Sequence, residues 1–145
     1  FRQFEKNAVR AGGGNNHRFG LYDMILIKDN HVDAAGGISN ALKKAADYLS
    51  VTGKNLMIEI ETRNIDEVRE VMKTGIARRI MMDNFETEIL KDAVKIIGNN
   101  FETEASGGIT LSNVYSYALT GVEYISVGAL THSYKSMDIS MKINK

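Results

Sequence analysis

Short apolar runs alternate in this chain with longer stretches in which apolar residues recur three and four positions apart. The apolar runs predict five strands: MILIKDN (24–30), NLMIEIE (55–61), RIMMDN (79–84), FETEAS (101–106) and YISVGA (124–129). The periodic stretches predict helices over 39–51, 64–75, 86–98 and 111–121, and the last three close on glycine, as helices often do. The predicted order is therefore strand, helix, strand, helix.

This alternation predicts parallel strands with crossover helices, in either a doubly wound sheet or a barrel. The last three units repeat about every 22 residues, with no longer excursion where a sheet would reverse its direction. We therefore predict an α/β fold, a partial (β/α) barrel of parallel strands with outer helices. A complete barrel has eight units in about 250 residues, so we expect residues 1–145 to form a partial α/β-barrel catalytic domain that lacks the first barrel strand or strands.

Composition narrows the function classes. The 18 basic and 18 acidic residues cancel, which argues against a nucleic-acid partner or an anionic membrane. The absence of cysteine excludes disulfides and thiolate metal sites. No apolar run approaches the roughly 20 residues of a membrane span and no signal segment opens the chain, so we expect a cytoplasmic protein. The chain lacks proline and begins at Phe1, and we interpret it as a piece of something longer.

Counting in twos along each predicted strand separates an apolar face from a polar one. The apolar face carries Ile25 and Ile27, Ile58 and Ile60, Ile80 and Met82, Ile125 and Val127, and we expect helices to cover it. The other face ends with Lys28, Glu61, Asp83, Ser106 and Gly128. Catalytic residues of β/α barrels come from the carboxyl ends of the strands, so these five positions predict a site at one rim.

The polar face also carries more carboxylates than a buried surface tolerates without partners. Glu59 and Glu61 share it, as do Glu102 and Glu104. Buried carboxylates need cations or a metal, and the candidate partners are Lys28, Arg18, Arg79 and a divalent cation. Oxygen ligands favour Mg²⁺ over zinc, and His17, His31 and His132 lack the spacing of a zinc motif.

Three glycine-containing loops point to an anionic ligand. ASGGIT (105–110) and SVGALTHS (126–133) each run from a strand end through glycine into a predicted helix, an arrangement that suits phosphate because free N–H groups and the helix dipole face the anion. The first loop, AGGGNNHR (11–18), bends over the same rim and brings His17 and Arg18 beside Lys28. Three such groups would bind a small polyanion, with arginine suited to carboxylate.

Taken together, five motifs in this order resemble the C-terminal barrel portion of quinolinate phosphoribosyltransferase, the decarboxylating nicotinate-nucleotide pyrophosphorylase, a type II phosphoribosyltransferase. They are GGGNNHRFGLYDMILIKDNHV (12–32), IEIE (58–61), MMDNF (81–85), EASGGIT (104–110) and GVEYISVGALTHS (121–133). The resemblance covers nearly the whole chain. It implies conversion of quinolinate and phosphoribosyl pyrophosphate, with Mg²⁺, into nicotinate mononucleotide, pyrophosphate and CO₂ for NAD synthesis.

The resemblance also implies roles for individual residues. His17, Arg18 and Lys28 match positions that grip the quinolinate carboxylates. Glu61 and Asp83 match carboxylates that serve the ribose hydroxyls and Mg²⁺, and with Lys28 they form the predicted catalytic set. Phosphate-binding and other substrate-binding positions are Ser106, Gly107, Gly108, Val127, Gly128 and His132. The implied reaction displaces pyrophosphate at the anomeric carbon, with oxocarbenium character and the quinolinate nitrogen as nucleophile, before decarboxylation.

The resemblance implies two further features that we do not find in this sequence. The family carries an arginine-lysine-threonine motif on an earlier strand, and an N-terminal domain that contributes an arginine to the neighbouring subunit of a homodimer or higher homo-oligomer. We expect both to be absent, and the isolated chain to be inactive. Three alternatives stay open at this point: a nicotinate phosphoribosyltransferase, an aldolase-type barrel with Lys28 as Schiff-base lysine, and a noncatalytic fragment.

Overall fold

The computed structural model describes residues 1–143, so the last two residues of the predicted domain, 144–145, lie outside the described residues. The strands are β1 (Met24–Ile27), β2 (Met57–Thr62), β3 (Arg79–Asp83), β4 (Glu102–Ser106) and β5 (Tyr124–Ile125). The helices are α1 (Arg2–Ala11), α2 (Asp29–Ala35), α3 (Ile38–Thr52), α4 (Ile65–Thr74), α5 (Thr87–Ile97), α6 (Val114–Ala118) and α7 (Ala129–His132). All five predicted strands and all four predicted helices are present.

The sheet has the topology predicted from the sequence. All four strand pairs are parallel, and the strands lie in the order β1-β2-β3-β4-β5. A doubly wound sheet reverses its strand order at a switch point, whereas successive strands of a β/α barrel stay neighbours. The parallel α/β prediction is confirmed, with the sequential order of a barrel segment.

The core lies between one face of the sheet and the helices that cross over it. Ile60, Ile80 and Met82 project from the central strands and are fully buried against residues of α3, α4 and α5, among them Leu42, Val68 and Leu90. Burying one such side chain stabilises the fold by about 1.5–3 kcal/mol. The strand parity read from the sequence therefore identified the helix-covered face correctly.

Local chemistry fixes where the crossover helices begin and end. The Asn64 side chain accepts a hydrogen bond from the Glu67 N–H (2.9 Å) and caps the start of α4. Gly75 closes the same helix in the left-handed region at φ 63°. The backbone thus turns back toward the sheet at the point where the apolar face of α4 ends.

Several predicted boundaries were wrong. β1 ends at Ile27 and not at residue 30, because α2 begins at Asp29 and His31 Nδ1 accepts the Lys28 N–H (2.9 Å). β5 has only two residues, and α6 starts at Val114, three residues later than predicted. Helices α1 and α2 were not predicted from the sequence. In residues 1–143, no helix has both the length and the apolar character needed to cross a membrane.

Candidate active site

The second face of the sheet, opposite the crossover helices, is built from alternating acidic and basic residues. The register places Glu59 of β2 opposite Arg79 of β3, and Arg79 opposite Glu102 of β4. Glu104 follows two positions along β4 and lies opposite Met81. Because side chains alternate along a strand, all of these residues project to the same side. We call this surface the inner face.

Arg79 holds the centre of the inner face. Its guanidinium donates to Glu104 Oε2 (2.8 Å) and Glu102 Oε2 (2.9 Å), and lies 3.9 Å from the centroid of the Tyr124 ring. Burial opposes the charge, but the hydrogen bonds and charges of the surrounding glutamates outweigh it and raise the pKa of Arg79. The sequence analysis named Arg79 as a candidate partner of these carboxylates, and this pairing is confirmed.

The glycine loop between α1 and β1 is tied down on both sides of His17. Asn16 Nδ2 donates to the Lys6 carbonyl, and Lys6 Nζ donates to the Arg18 carbonyl, both at 2.9 Å. Further along, the Asp23 carboxylate accepts the N–H groups of Phe19 (2.6 Å) and Gly20 (2.9 Å), which lower the pKa of Asp23. These hydrogen bonds fix the loop. Its position over the rim of the sheet agrees with the expectation from the sequence.

His17 reaches from this loop into the inner face. Its Nε2 lies 2.9 Å from Glu59 Oε2 and 3.6 Å from Glu104 Oε1, and both glutamates are almost completely buried. The hydrogen bond to Glu59 raises the pKa of His17 above its ordinary 6.5, against the opposing effects of burial and of Arg79. Burial, and then the charge of Glu59, raise the pKa of Glu104.

Lys28 and Glu61 form an ion pair at the rim. Lys28 Nζ lies 3.2 Å from Glu61 Oε1, and the lysine side chain is about half exposed (48%). The register explains the pairing. Ile27 of β1 lies opposite Ile60 of β2, so the next residue along each segment, Lys28 and Glu61, lies beside the other. Lys28 was predicted from the sequence to pair with one of the buried carboxylates, and its pairing with Glu61 is confirmed.

The loop after β4 is packed against the end of β3. Asn84 adopts the left-handed region at φ 56°, donates its N–H to the Ser106 carbonyl (2.8 Å) and its side-chain amide to Asp83 Oδ2 (2.6 Å). Gly107 lies directly against it at φ 93°, and a Cβ there would stand 2.8 Å from the Asn84 nitrogen. Only glycine fits this position without a shift of the backbone.

The two predicted phosphate loops offer backbone N–H groups, and the loop after β5 runs directly into a short helix. The N–H groups of Gly107, Gly108, Val127 and Gly128 donate to no acceptor within residues 1–143. The helix expected after Gly128 is present as α7, which begins at Ala129 but has only four residues. The helix expected after Gly108 begins only at Val114 and has five residues. Short segments carry little macrodipole, so free N–H groups are the main attraction for an anion here.

These parts enclose a cleft of about 820 Å³ on the inner face. Nine predicted site residues line it: His17, Lys28, Glu61, Ser106, Gly107, Gly108, Val127, Gly128 and His132. His132 lies over Gly128, where a Cβ would meet His132 Nε2 at 2.7 Å. The Val127 side chain packs against the hydrophobic core, and its backbone faces the cleft.

Two predicted site residues lie outside the lining of the cleft. Arg18 is half-buried, and its guanidinium pairs with no carboxylate in the part of the chain that the structure describes, so the expectation that it would pair with the buried glutamates was wrong. Asp83 follows Met82, whose partner on β2 is Thr62, so it stands two residues beyond the level of Glu61. Its carboxylate is held by Asn84 at the strand end.

Two sets of side chains are candidates for holding a divalent cation. Glu61 and Asp83 stand on neighbouring strand ends, where they contact Lys28 and Asn84, respectively. Oxygen donors of this kind suit Mg²⁺. His17, Glu59 and Glu104 also bring ligand atoms within 4.8 Å of one another. There, however, Arg79 already supplies a positive charge that opposes a metal ion.

The matching family model is that of the quinolinate phosphoribosyl transferase C-terminal domain, over residues 1–142. The chain belongs to this family. A quinolinate phosphoribosyltransferase (decarboxylating) 2b, mitochondrial, of Nicotiana tabacum is 49% identical over 99% of the chain and 45% of its own length. A probable carboxylating nicotinate-nucleotide pyrophosphorylase of Bacillus subtilis is 50% identical over 98% of the chain and 48% of its own length.

The solved structures agree with this membership of the quinolinate phosphoribosyl transferase family. A nicotinate-nucleotide pyrophosphorylase from Francisella tularensis superposes with a TM-score of 0.89 at 43% identity, over 97% of this chain and 48% of that one. The chain thus spans about half the length of the relatives it matches. The family expected from the sequence motifs is confirmed.

Sequence reasoning missed the partner of His17. It placed Glu59 and Glu104 on the inner face but assigned His17 only to substrate binding. His17 and Glu59 are 42 positions apart, and a contact at that separation leaves no periodic signal in a single sequence. The available signal was the excess of buried carboxylates over cations on the strands themselves.

Proposed function

We propose that this chain is the core of a quinolinate phosphoribosyltransferase, which transfers phosphoribose from phosphoribosyl pyrophosphate to quinolinate with decarboxylation. The products are nicotinate mononucleotide, pyrophosphate and CO₂. The observation that carries the proposal is one cleft lined by His17 and Lys28 and by two loops whose N–H groups donate to no acceptor within residues 1–143. Family membership supports the same reaction.

The cationic side of the cleft suits the pyridine substrate. Quinolinate carries two carboxylates, and Lys28 and His17 are positive groups whose positions are fixed by Glu61 and Glu59. Arg18 follows His17 on the anchored loop and is proposed as a third group for the same anion, although it lies outside the present lining. Because these cationic side chains are already held in place, binding of an anionic substrate does not cost the entropy of ordering them at each turnover.

The loops after β4 and β5 suit the phosphoribosyl donor. Ser106, Gly107, Gly108, Val127 and Gly128 present a hydroxyl and free N–H groups to phosphate, with His132 beside them. Glu61 and Asp83 are proposed to bind the ribose hydroxyls and to hold Mg²⁺. When bound, Mg²⁺ would offset the charge of the departing pyrophosphate. The carboxylates of Glu61 and Asp83 favour positive charge at the ribose carbon.

We also keep two expectations about the whole protein as proposals. One is a homodimer or higher homo-oligomer in which a neighbouring subunit completes the cleft, which sedimentation of the full-length polypeptide would test. The other is a cytoplasmic location. The name of the Nicotiana tabacum relative includes the word mitochondrial, so fractionation of the source cells decides this point.

The function is tested with the full-length polypeptide that carries this sequence. Pyrophosphate and ¹⁴CO₂ release from carboxyl-labelled quinolinate are measured with the phosphoribosyl donor and Mg²⁺. Nicotinate replaces quinolinate in a parallel assay, and EDTA removes the metal ion. We expect both products with quinolinate only, and loss of turnover with EDTA. Turnover with nicotinate alone would identify the related single-carboxylate transferase instead.

A further inference from the structure

The cluster around His17 contains more negative charge than its permanent cations balance. Glu59, Glu104 and Glu102 supply three carboxylates, while Arg78 and Arg79 supply two guanidinium groups in contact with Glu102 and Glu104. Glu59 contacts neither guanidinium at ion-pair distance, and one of its oxygens, Oε1, has no hydrogen-bond partner within the described residues. The ring of His17 is the remaining group that can supply the missing positive charge.

The two carboxylates beside His17 are themselves rigidly held. Glu104 accepts hydrogen bonds from Arg79 Nη1 (2.8 Å) and from the Ser126 hydroxyl. Arg79 in turn is fixed by Glu102 and by its stacking on Tyr124. Glu59 lies in the middle of β2 and is completely buried. The imidazole is therefore placed by a support that extends across β2, β3 and β4.

We propose that Glu59 and Glu104 are positioning residues that hold His17 as a cation in the cleft, so that the anionic pyridine substrate meets a preformed imidazolium in the same cleft as Lys28. This inference rests on the proposed function for the identity of that substrate. The groups that face His17 are Glu59 from β2, Glu104 from β4 and, with the opposite sign, Arg79 from β3. The hydrogen bond to Glu59 dominates and raises the pKa of His17.

The pH dependence has a definite sign. A histidine whose folded-state pKa is raised stays charged below its ordinary 6.5 and loses its charge as the pH rises through the raised value. Affinity for quinolinate should therefore be constant in mildly acidic solution and fall on the alkaline side of 6.5. His17→Asn, which changes a half-buried residue of the loop, should remove this alkaline limb.

The test uses ¹⁵N-histidine NMR titration and steady-state kinetics on the full-length polypeptide, with His17 assigned from His17→Asn. In Glu59→Gln we expect the pKa of His17 to fall toward 6.5 and the KM for quinolinate to rise by roughly tenfold or more, the worth of a charged hydrogen bond. The KM for the phosphoribosyl donor should stay within about twofold. Glu59→Asp should restore part of the pKa elevation. Glu70→Gln is the control, since Glu70 of α4 accepts hydrogen bonds from Ser39 and takes no part in the support of His17.

The outcomes separate this inference from the proposed function. An unchanged His17 pKa in both Glu59→Gln and Glu104→Gln overturns the inference, and so does a lowered pKa with an unchanged KM for quinolinate. If the two variants fail to fold, the inference is tested by the pH dependence of the wild-type KM for quinolinate. The KM should rise on the alkaline side, and this rise should be absent in His17→Asn. Absence of quinolinate turnover in the wild type refutes the proposed function instead, while the NMR titration still tests the support of His17.

Discussion

Lys28 Nζ lies 3.2 Å from Glu61 Oε1, so the adjoining ends of β1 and β2 carry an ion pair at the mouth of the cleft. The lysine is half exposed, which leaves its ammonium group able to contact a bound anion as well as Glu61. This geometry fits a binding lysine whose position is set by the Glu61 carboxylate.

We predict that Lys28→Met raises the KM for quinolinate by roughly 10- to 100-fold, the equivalent of one charged hydrogen bond of about 1.5–3 kcal/mol. Initial-rate kinetics of the full-length polypeptide measure this change. Lys54→Met is the control, because Lys54 is an exposed lysine beyond the end of α3 that donates to Tyr48. A borohydride-trapped adduct of a carbonyl substrate on Lys28 would contradict the binding role.

We predict that Gly107→Ala lowers the free energy of unfolding by more than about 2 kcal/mol and abolishes binding of the phosphoribosyl donor. The left-handed backbone alone costs about 1–2 kcal/mol for a non-glycine residue. The added Cβ would also stand 2.8 Å from the Asn84 nitrogen and displace the loop. Urea unfolding and calorimetric donor binding measure the two effects.

Gly53→Ala is the matched control for this substitution. Gly53 has φ 65° at the end of α3, and a Cβ there meets no atom within 4 Å. It should therefore show the backbone cost of about 1 kcal/mol without loss of donor binding. Equal effects of the two substitutions would disprove the close packing of Gly107 on Asn84.

We predict that Arg79→Met destabilises the fold by about 3–5 kcal/mol, because it leaves the buried Glu104 carboxylate without its guanidinium partner. The measurement is chemical unfolding followed by circular dichroism. Arg69→Met serves as the control, since Arg69 pairs with Asp66 on the exposed face of α4 and should change stability by less than about 0.5 kcal/mol. A small effect at Arg79 would mean that its carboxylate partners are protonated or hydrated.

We predict that Asp23→Asn loosens the glycine loop and raises the KM for quinolinate while leaving the core intact. The variant loses the charge that accepts the Phe19 and Gly20 N–H groups. The pKa of Asp23 is lowered from 3.8, so its contribution is complete above that value and is lost as the pH falls through the lowered pKa. Limited proteolysis between residues 11 and 23 at neutral and acidic pH measures the loosening.

At neutral pH the wild type should resist the protease better than Asp23→Asn does. In acid, where Asp23 is protonated, the wild type should be cleaved as readily as the variant is at neutral pH. Asp66→Asn is a suitable control, because it removes an exposed carboxylate from α4 that has no contact with the loop. If Asp23→Asn and the wild type are cleaved at the same rate at neutral pH, Asp23 does not anchor the loop.

Element type and strand order could be predicted from the sequence because their causes are local. Alternation of Ile58, Glu59, Ile60 and Glu61 marks the two faces of β2 without reference to any other element. Boundaries failed where a side chain interfered with the backbone. Lys28 continues the alternation of β1, but its N–H donates to His31 Nδ1 and a helix begins there instead.

The sequence by itself determined which residues of this chain share the inner face and that its glycine loops reach the same rim, since periodicity and backbone freedom are properties of short segments. Only the tertiary structure decided which carboxylate pairs with which cation. Glu59 receives His17 from a loop 42 positions away, Glu104 receives Arg79, and Arg18 receives none of the described carboxylates. Such pairings depend on distances of a few ångströms between segments, and those distances are set by the packing of the whole sheet.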